Sequence, residues 1–117
     1  MANRYWHLYI HLYSIWMAET YAGFDWDAGN RAKCQKHGVT IAEIEALFSE
    51  PLLIVPDASH SKSETRIRAL GRTSAGRMIF LVFTIRLKRG RRVVRPISAR
   101  YMHAKEVASY EKENPEL

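Results

Sequence analysis

The hydrophobic and polar positions along the chain change period several times, and each change marks an element. In residues 1–16, MANRYWHLYIHLYSIW, Tyr5, His7, Tyr9, His11 and Tyr13 alternate with Trp6, Leu8, Ile10 and Leu12. A period of two predicts a strand and argues against His7 and His11 meeting on one helix face as metal ligands. Residues 24–40, FDWDAGNRAKCQKHGVT, carry almost no apolar stripe. Asp27 is a good N-cap, so a polar helix is expected from there to about His37, with Gly38 at the C′ position. Lys33, Lys36 and His37 then fall in its last turn, where cations favour the macrodipole. Thr40 and Glu43 form a capping box for a second helix, with Val39 able to staple onto Ile44. Ile41, Ile44, Leu47 and Phe48 give it one buried face, and Pro51 stops it near Ser49.

The rest of the chain reads mostly as strands. Leu52–Val55 is short and apolar, and Thr65–Gly71 alternates Arg66 and Arg68 with Ile67 and Ala69. Ser74-Ala75-Gly76 is a turn. Arg77–Leu87, RMIFLVFTIRL, is long, β-branched and nearly all apolar, so it is expected at the centre of the sheet. Lys88-Arg89-Gly90 turns the chain into Val93–Arg100. Pro96 cannot donate to a ladder, which puts that strand at an edge or bulges it. A last helix starts at His103 and carries Val107 and Tyr110. The order β-α-α-β-β-β-β-α predicts an α+β domain, an antiparallel sheet packed by helices.

A length of 117 residues suits one domain with a modest core. MAETYAGFDWD, from Met17, reads as a natural start. Residues 1–16 are therefore expected to be an extension ahead of a single domain, 17–117. No apolar run approaches the ~18 residues that span a bilayer. The single cysteine, Cys34, excludes an intramolecular disulfide and fits a reducing cytoplasm.

Charge sharpens the picture. Residues 1–64 hold five Lys/Arg against eight Asp/Glu, whereas residues 65–117 hold thirteen against four. Between Arg66 and Arg100 there are eleven basic residues and no acidic one. Such a block points to an anionic partner, nucleic acid or an acidic protein, although basic residues also protect strand edges.

The ordered pieces FDWD, KHGVT, SEP, SETR, GRTSAGRMIFLVFTIR and ISAR, followed by Glu106 and Tyr110 at E-x-x-x-Y spacing, carry a resemblance. From about Phe24 to Glu111 the chain resembles the BrnT family, ribonuclease toxins of bacterial type II toxin–antitoxin systems. The resemblance implies a compact fold similar to the RelE-type toxins and RNA as substrate. It also implies a BrnA-like antitoxin with a ribbon-helix-helix domain, whose complex with the toxin binds operator DNA. The chain departs from the family pattern at Asn30, where a lysine is usual, and at Cys34, Pro96 and Met102.

Metal-independent RNA cleavage needs a base for the 2′-hydroxyl, cations for the charge that develops on phosphoryl oxygens, and an acid for the leaving oxygen. His37 is the candidate acid or base, as histidine titrates near neutrality; it also fits a plain helix end. Arg86 and Arg100, at strand ends, are the candidate catalytic cations; each fits a carboxylate pair as well. They converge only in some registers, and register is not readable from the pattern. Lys36, Arg66, Arg77 and Tyr110 are candidate substrate contacts, with Tyr110 equally suited to packing on the sheet. Glu106 sits at a capping-box N3 position after His103. No metal-ligand cluster or cofactor motif stands out. The expected function is an endoribonuclease toxin; the alternative is a non-catalytic basic module, a degenerate toxin that binds an acidic antitoxin or nucleic acid.

Overall fold

The computed structural model describes residues 21–55 and 65–113. Over these the order is α1 (Ala28–Gln35), α2 (Ile41–Leu47), β1 (Leu53–Val55), β2 (Ile67–Arg72), β3 (Met78–Lys88), β4 (Arg91–Tyr101) and α3 (Ala104–Glu113). This is the α+β class and element order expected from the sequence. The alternating stretch within residues 1–16, expected as a strand, lies outside the described residues.

The four strands form one sheet in the order β1-β2-β3-β4, antiparallel throughout. β3 is flanked on both sides, as its apolar run demands. Ile79, Leu81 and Phe83 alternate onto one face of it and are fully buried. They share a core cluster with Ile44, Leu47 and Phe48 from α2 and its C-cap. Phe48 meets Phe83 edge-on, with centroids 5.1 Å apart. Burying each such side chain contributes about 1.5–3 kcal/mol.

Pro96 does both things expected of it. β4 is the end strand, and its register with β3 steps between Val82, opposite Ser98, and Phe83, opposite Pro96. Ile97 is the extra residue of that bulge. Beyond it, residues 22–25 run along the outer edge of β4. Ala22 N–H donates to Arg92 O (2.7 Å), Val94 N–H to Gly23 O (2.9 Å) and Asp25 N–H to Val94 O (2.8 Å). At the β3–β4 turn Arg89 and Gly90 both have positive φ (52° and 74°), the mark of a type I′ hairpin.

The first helix ends earlier than its sequence pattern suggests. Gln35 is its last residue and Lys36 the C-cap. His37 therefore takes the C′ position, and Gly38 comes one residue later, with φ at +94°. The Gly38 N–H donates to Gln35 O at 3.1 Å, tightening the exit by a residue. α1 buries only Asn30 and Cys34. It lies across β4, as its thin apolar face implies.

Candidate functional site

Two capping devices fix α1 and α2. Thr40 and Glu43 cap α2 reciprocally: Glu43 N–H donates to Thr40 Oγ1 (3.1 Å) and Thr40 N–H to Glu43 Oε1 (3.0 Å). At α1, Asp27 Oδ1 accepts from Asn30 N–H at 3.0 Å, and Asn30 Oδ1 accepts from Asp27 N–H at 2.7 Å. Asn30 goes further. Its Nδ2 donates to the Asp25 and Pro96 carbonyls, both at 2.9 Å, so one buried amide pins α1 to the bulge of β4. Both donors of the buried amide are used and its oxygen accepts one bond, three of the four it can make. Asn30 thus has a structural task that its sequence context did not reveal.

Asp27 also uses its second oxygen. Oδ2 accepts from Arg95 Nη2 at 2.8 Å, while Arg95 Nη1 lies 3.4 Å from Asp25 Oδ2. The Asp25 carboxylate is 7% exposed and pairs with Lys88 as well. The Lys88 hydrogen bond, helped by Arg95, holds Asp25 below the usual carboxylate range against the opposing effect of burial. Two acids thereby orient the Arg95 guanidinium.

That guanidinium lines a cleft of about 270 Å³ whose walls also carry Lys33, Arg66 and Arg86. Gly29 and Asn30 of α1 and Pro96 and Ile97 of the bulge complete it. Arg66 comes to this place because buried Thr84 donates its hydroxyl to the preceding carbonyl, Thr65 O, at 2.6 Å. Helix α1, the approach to β2, and the hairpin-proximal ends of β3 and β4 thus each contribute a cation. A concave site with several guanidinium groups is built for a phosphate or carboxylate.

The candidate residues from the sequence are dispersed over four places. Arg66 and Arg86 share the cleft. Lys36 and His37 are exposed at the end of α1, where His37 follows Lys33 by four residues, about one turn. Arg77 stacks over the Tyr101 ring, 3.5 Å from its centroid. Arg100 is at the far end of the sheet. It pairs across from Phe80 while Arg86 pairs across from Val93, six residues along β3 and so about 20 Å away. Arg86 and Arg100 therefore do not converge. Arg100 instead makes a two-point pair with Glu106, Nη1 to Oε1 at 2.9 Å and Nη2 to Oε2 at 3.0 Å. Glu106 also accepts from His103 N–H at 3.0 Å, the capping contact its position suggested. The Arg100 pair, and then that backbone bond, pull the Glu106 carboxyl down to about 2. Tyr110 is half-buried on α3 against the core, and burial raises its hydroxyl pKa.

Sequence reasoning missed Arg95, Asp25 and Asp27 as site builders, and gave Lys33 only a helix-end role. Their partners are 68 and 70 residues apart, so no local signal joins them. Among the described residues no group of three His, Cys, Asp or Glu side chains is placed to hold a metal ion. Nor is any helix there long and apolar enough to cross a membrane.

Residues 26–106, more than two thirds of the chain, match a family model described as the ribonuclease toxin BrnT of type II toxin–antitoxin systems. The chain belongs to the BrnT family. A comparison with curated proteins found no match. Membership in BrnT implies RNA as the substrate class and an antitoxin as partner. The matched span contains the complete cationic cleft, from Gly29 to Ile97. It also holds both ends of the Arg100–Glu106 pair, so the BrnT region includes the hairpin end and the α3 end of the sheet alike.

Proposed function

We propose that the chain is a metal-independent endoribonuclease toxin whose cationic cleft grips the RNA backbone. The observation that carries this reading is the convergence of Lys33, Arg66, Arg86 and Arg95 on one concave site in a BrnT-family chain. Guanidinium groups fixed in advance stabilise phosphoryl charge as it develops, without reorganising at the moment of reaction. Arg86 is the transition-state cation. Arg66, Arg95 and Lys33 seat the backbone. His37, about one turn beyond Lys33, gives or takes the proton, with Lys36 beside it on a flanking phosphate. Arg77 contacts substrate outside the cleft. Arg100 and Tyr110 brace α3 rather than touch RNA. The partner is a BrnA-like ribbon-helix-helix antitoxin that neutralises the toxin in the cytoplasm, and the complex binds operator DNA.

Purified protein is expected to cut RNA in EDTA. Arg86→Ala should lower kcat/KM about 100-fold, the usual loss for one transition-state donor. His37→Ala should lower it by about 100-fold as well, with a changed pH profile. Intact RNA in the presence of folded wild-type protein at high concentration would overturn catalysis and leave a binding module.

A further inference from the structure

Arg77 differs from three other arginines of the fold. Arg72, Arg95 and Arg100 each direct donors at a carboxylate. Among the described residues the Arg77 guanidinium makes no hydrogen bond and no ion pair, yet it is held in place over the Tyr101 ring at 3.5 Å. The ring itself cannot swing. Tyr101 OH donates to Glu43 Oε1 at 2.6 Å and lies 3.4 Å from Gly38 O. Glu43 Oε1 also accepts from the Thr40 N–H at 3.0 Å and the Thr40 hydroxyl at 3.2 Å. The start of α2, the end of β4 and the exit of α1 thus lock one aromatic face, and Arg77 is exposed on top of it.

We propose that the Arg77–Tyr101 stack is a platform for an unpaired nucleobase of single-stranded RNA. A guanidinium plane with one face on a tyrosine keeps its other face and its edge donors for a second planar group. Nucleobases stack on such planes and offer acceptors to the edge. Charge decides against a phosphate here. The cleft at the hairpin end gathers four cations, whereas the stack holds Arg77 over a tyrosine whose hydroxyl is bonded to the Glu43 carboxylate. A neutral, flat ligand suits it. The platform adjoins Gly38, the residue after His37: a Cβ built on Gly38 would come 3.8 Å from the Tyr101 ring. A base seated there lies beside the proposed acid or base, while the phosphates run toward Lys33 and the cleft. This inference rests on the RNA reading above.

The test uses the full chain and 2′-O-methyl RNA oligonucleotides, which cannot be cut by attack of a 2′-hydroxyl, carrying 2-aminopurine at successive positions. The wild type is expected to change the fluorescence of one position on binding. Arg77→Ala and Arg77→Lys should both abolish that change and weaken binding about tenfold, in the range that losing one stacked base produces. Arg77→Lys keeps the charge and loses the plane. A wild-type signal from Arg77→Lys would therefore overturn the platform in favour of simple charge attraction. Unchanged oligonucleotide binding by both variants would overturn it too, whether or not antitoxin binding weakens. Failure of the wild type both to bind the oligonucleotide and to cut RNA would remove the RNA reading, and the platform with it. Far-UV circular dichroism and the melting temperature keep misfolded variants out of the comparison.

Discussion

The two ends of the sheet are both rich in arginine, and they use it differently. At the α3 end, Arg100 closes on Glu106 and Arg72 on Glu111, so charge ties a helix to a strand. At the hairpin end, Lys33, Arg66, Arg86 and Arg95 come from separate elements to one cleft, and Asp25 and Asp27 both bond Arg95. The same side chain is a brace in one place and part of a binding surface in the other. What separates the two is how the acids are shared. At the α3 end each arginine faces its own carboxylate on α3. At the hairpin end Asp25 and Asp27 both hold Arg95, which shares its cleft with three further cations.

The largest expected effect comes from removing an acid at the hairpin end. Asp25→Ala takes a nearly buried carboxylate from between Lys88 and Arg95 and should cost about 3 kcal/mol, read as a lower urea midpoint at unchanged slope. Glu106→Gln, at the half-exposed pair, should move the midpoint far less. Equal losses would erase the distinction between the ends.

Salt dependence gives an effect of intermediate size. If the cleft seats phosphates, Lys33→Ala and Arg66→Ala should each flatten the plot of log affinity for single-stranded RNA against log salt, by about 0.7 in slope. Arg72→Ala, at the braced end, should leave the slope as it is. A slope that responds only to Arg72 would put the RNA on the wrong face.

The smallest effect is a pH dependence. Glu106 titrates at about 2 in the folded chain, below the ordinary carboxylate range. A depressed carboxyl contributes its stability above the unfolded-state pKa and loses it as pH falls through the folded value. Urea midpoints should therefore drift down between about pH 5 and about pH 2, and Glu106→Gln should make that drift shallower. A variant that drifts as steeply as the wild type would show the pair to be idle.

Much of the scaffold was legible because its determinants are local. The Thr40–Glu43 capping box spans four residues, and its two bonds form as the spacing requires. Pro96 announces an edge and a bulge through one missing donor. The apolar run of β3 could only be central. The site was less legible because its determinants are registers and distant pairs. Whether Arg86 and Arg100 meet depends on the β3–β4 register, which puts them at opposite ends. Nothing near Asn30 in the chain shows that its amide reaches the Pro96 carbonyl 66 residues away. Gly38 marked the end of α1 correctly to within one residue, the usual precision of a boundary read from a cap.

The cleft has a further consequence for how the chain is made. Its walls run from Gly29 in α1 to Ile97 in the bulge of β4. A polypeptide growing from its N-terminus presents α1 early, but Arg95 and Pro96, which α1 must meet, emerge some seventy residues afterwards. The β3–β4 hairpin can form as soon as both strands are out, since it closes over a two-residue turn. The Asp25–Arg95 and Asn30–Pro96 clasps have to close a far longer loop, a slower kind of contact. A nascent chain therefore carries no cationic cleft until the bulge of β4, as far as Ile97, has left the ribosome.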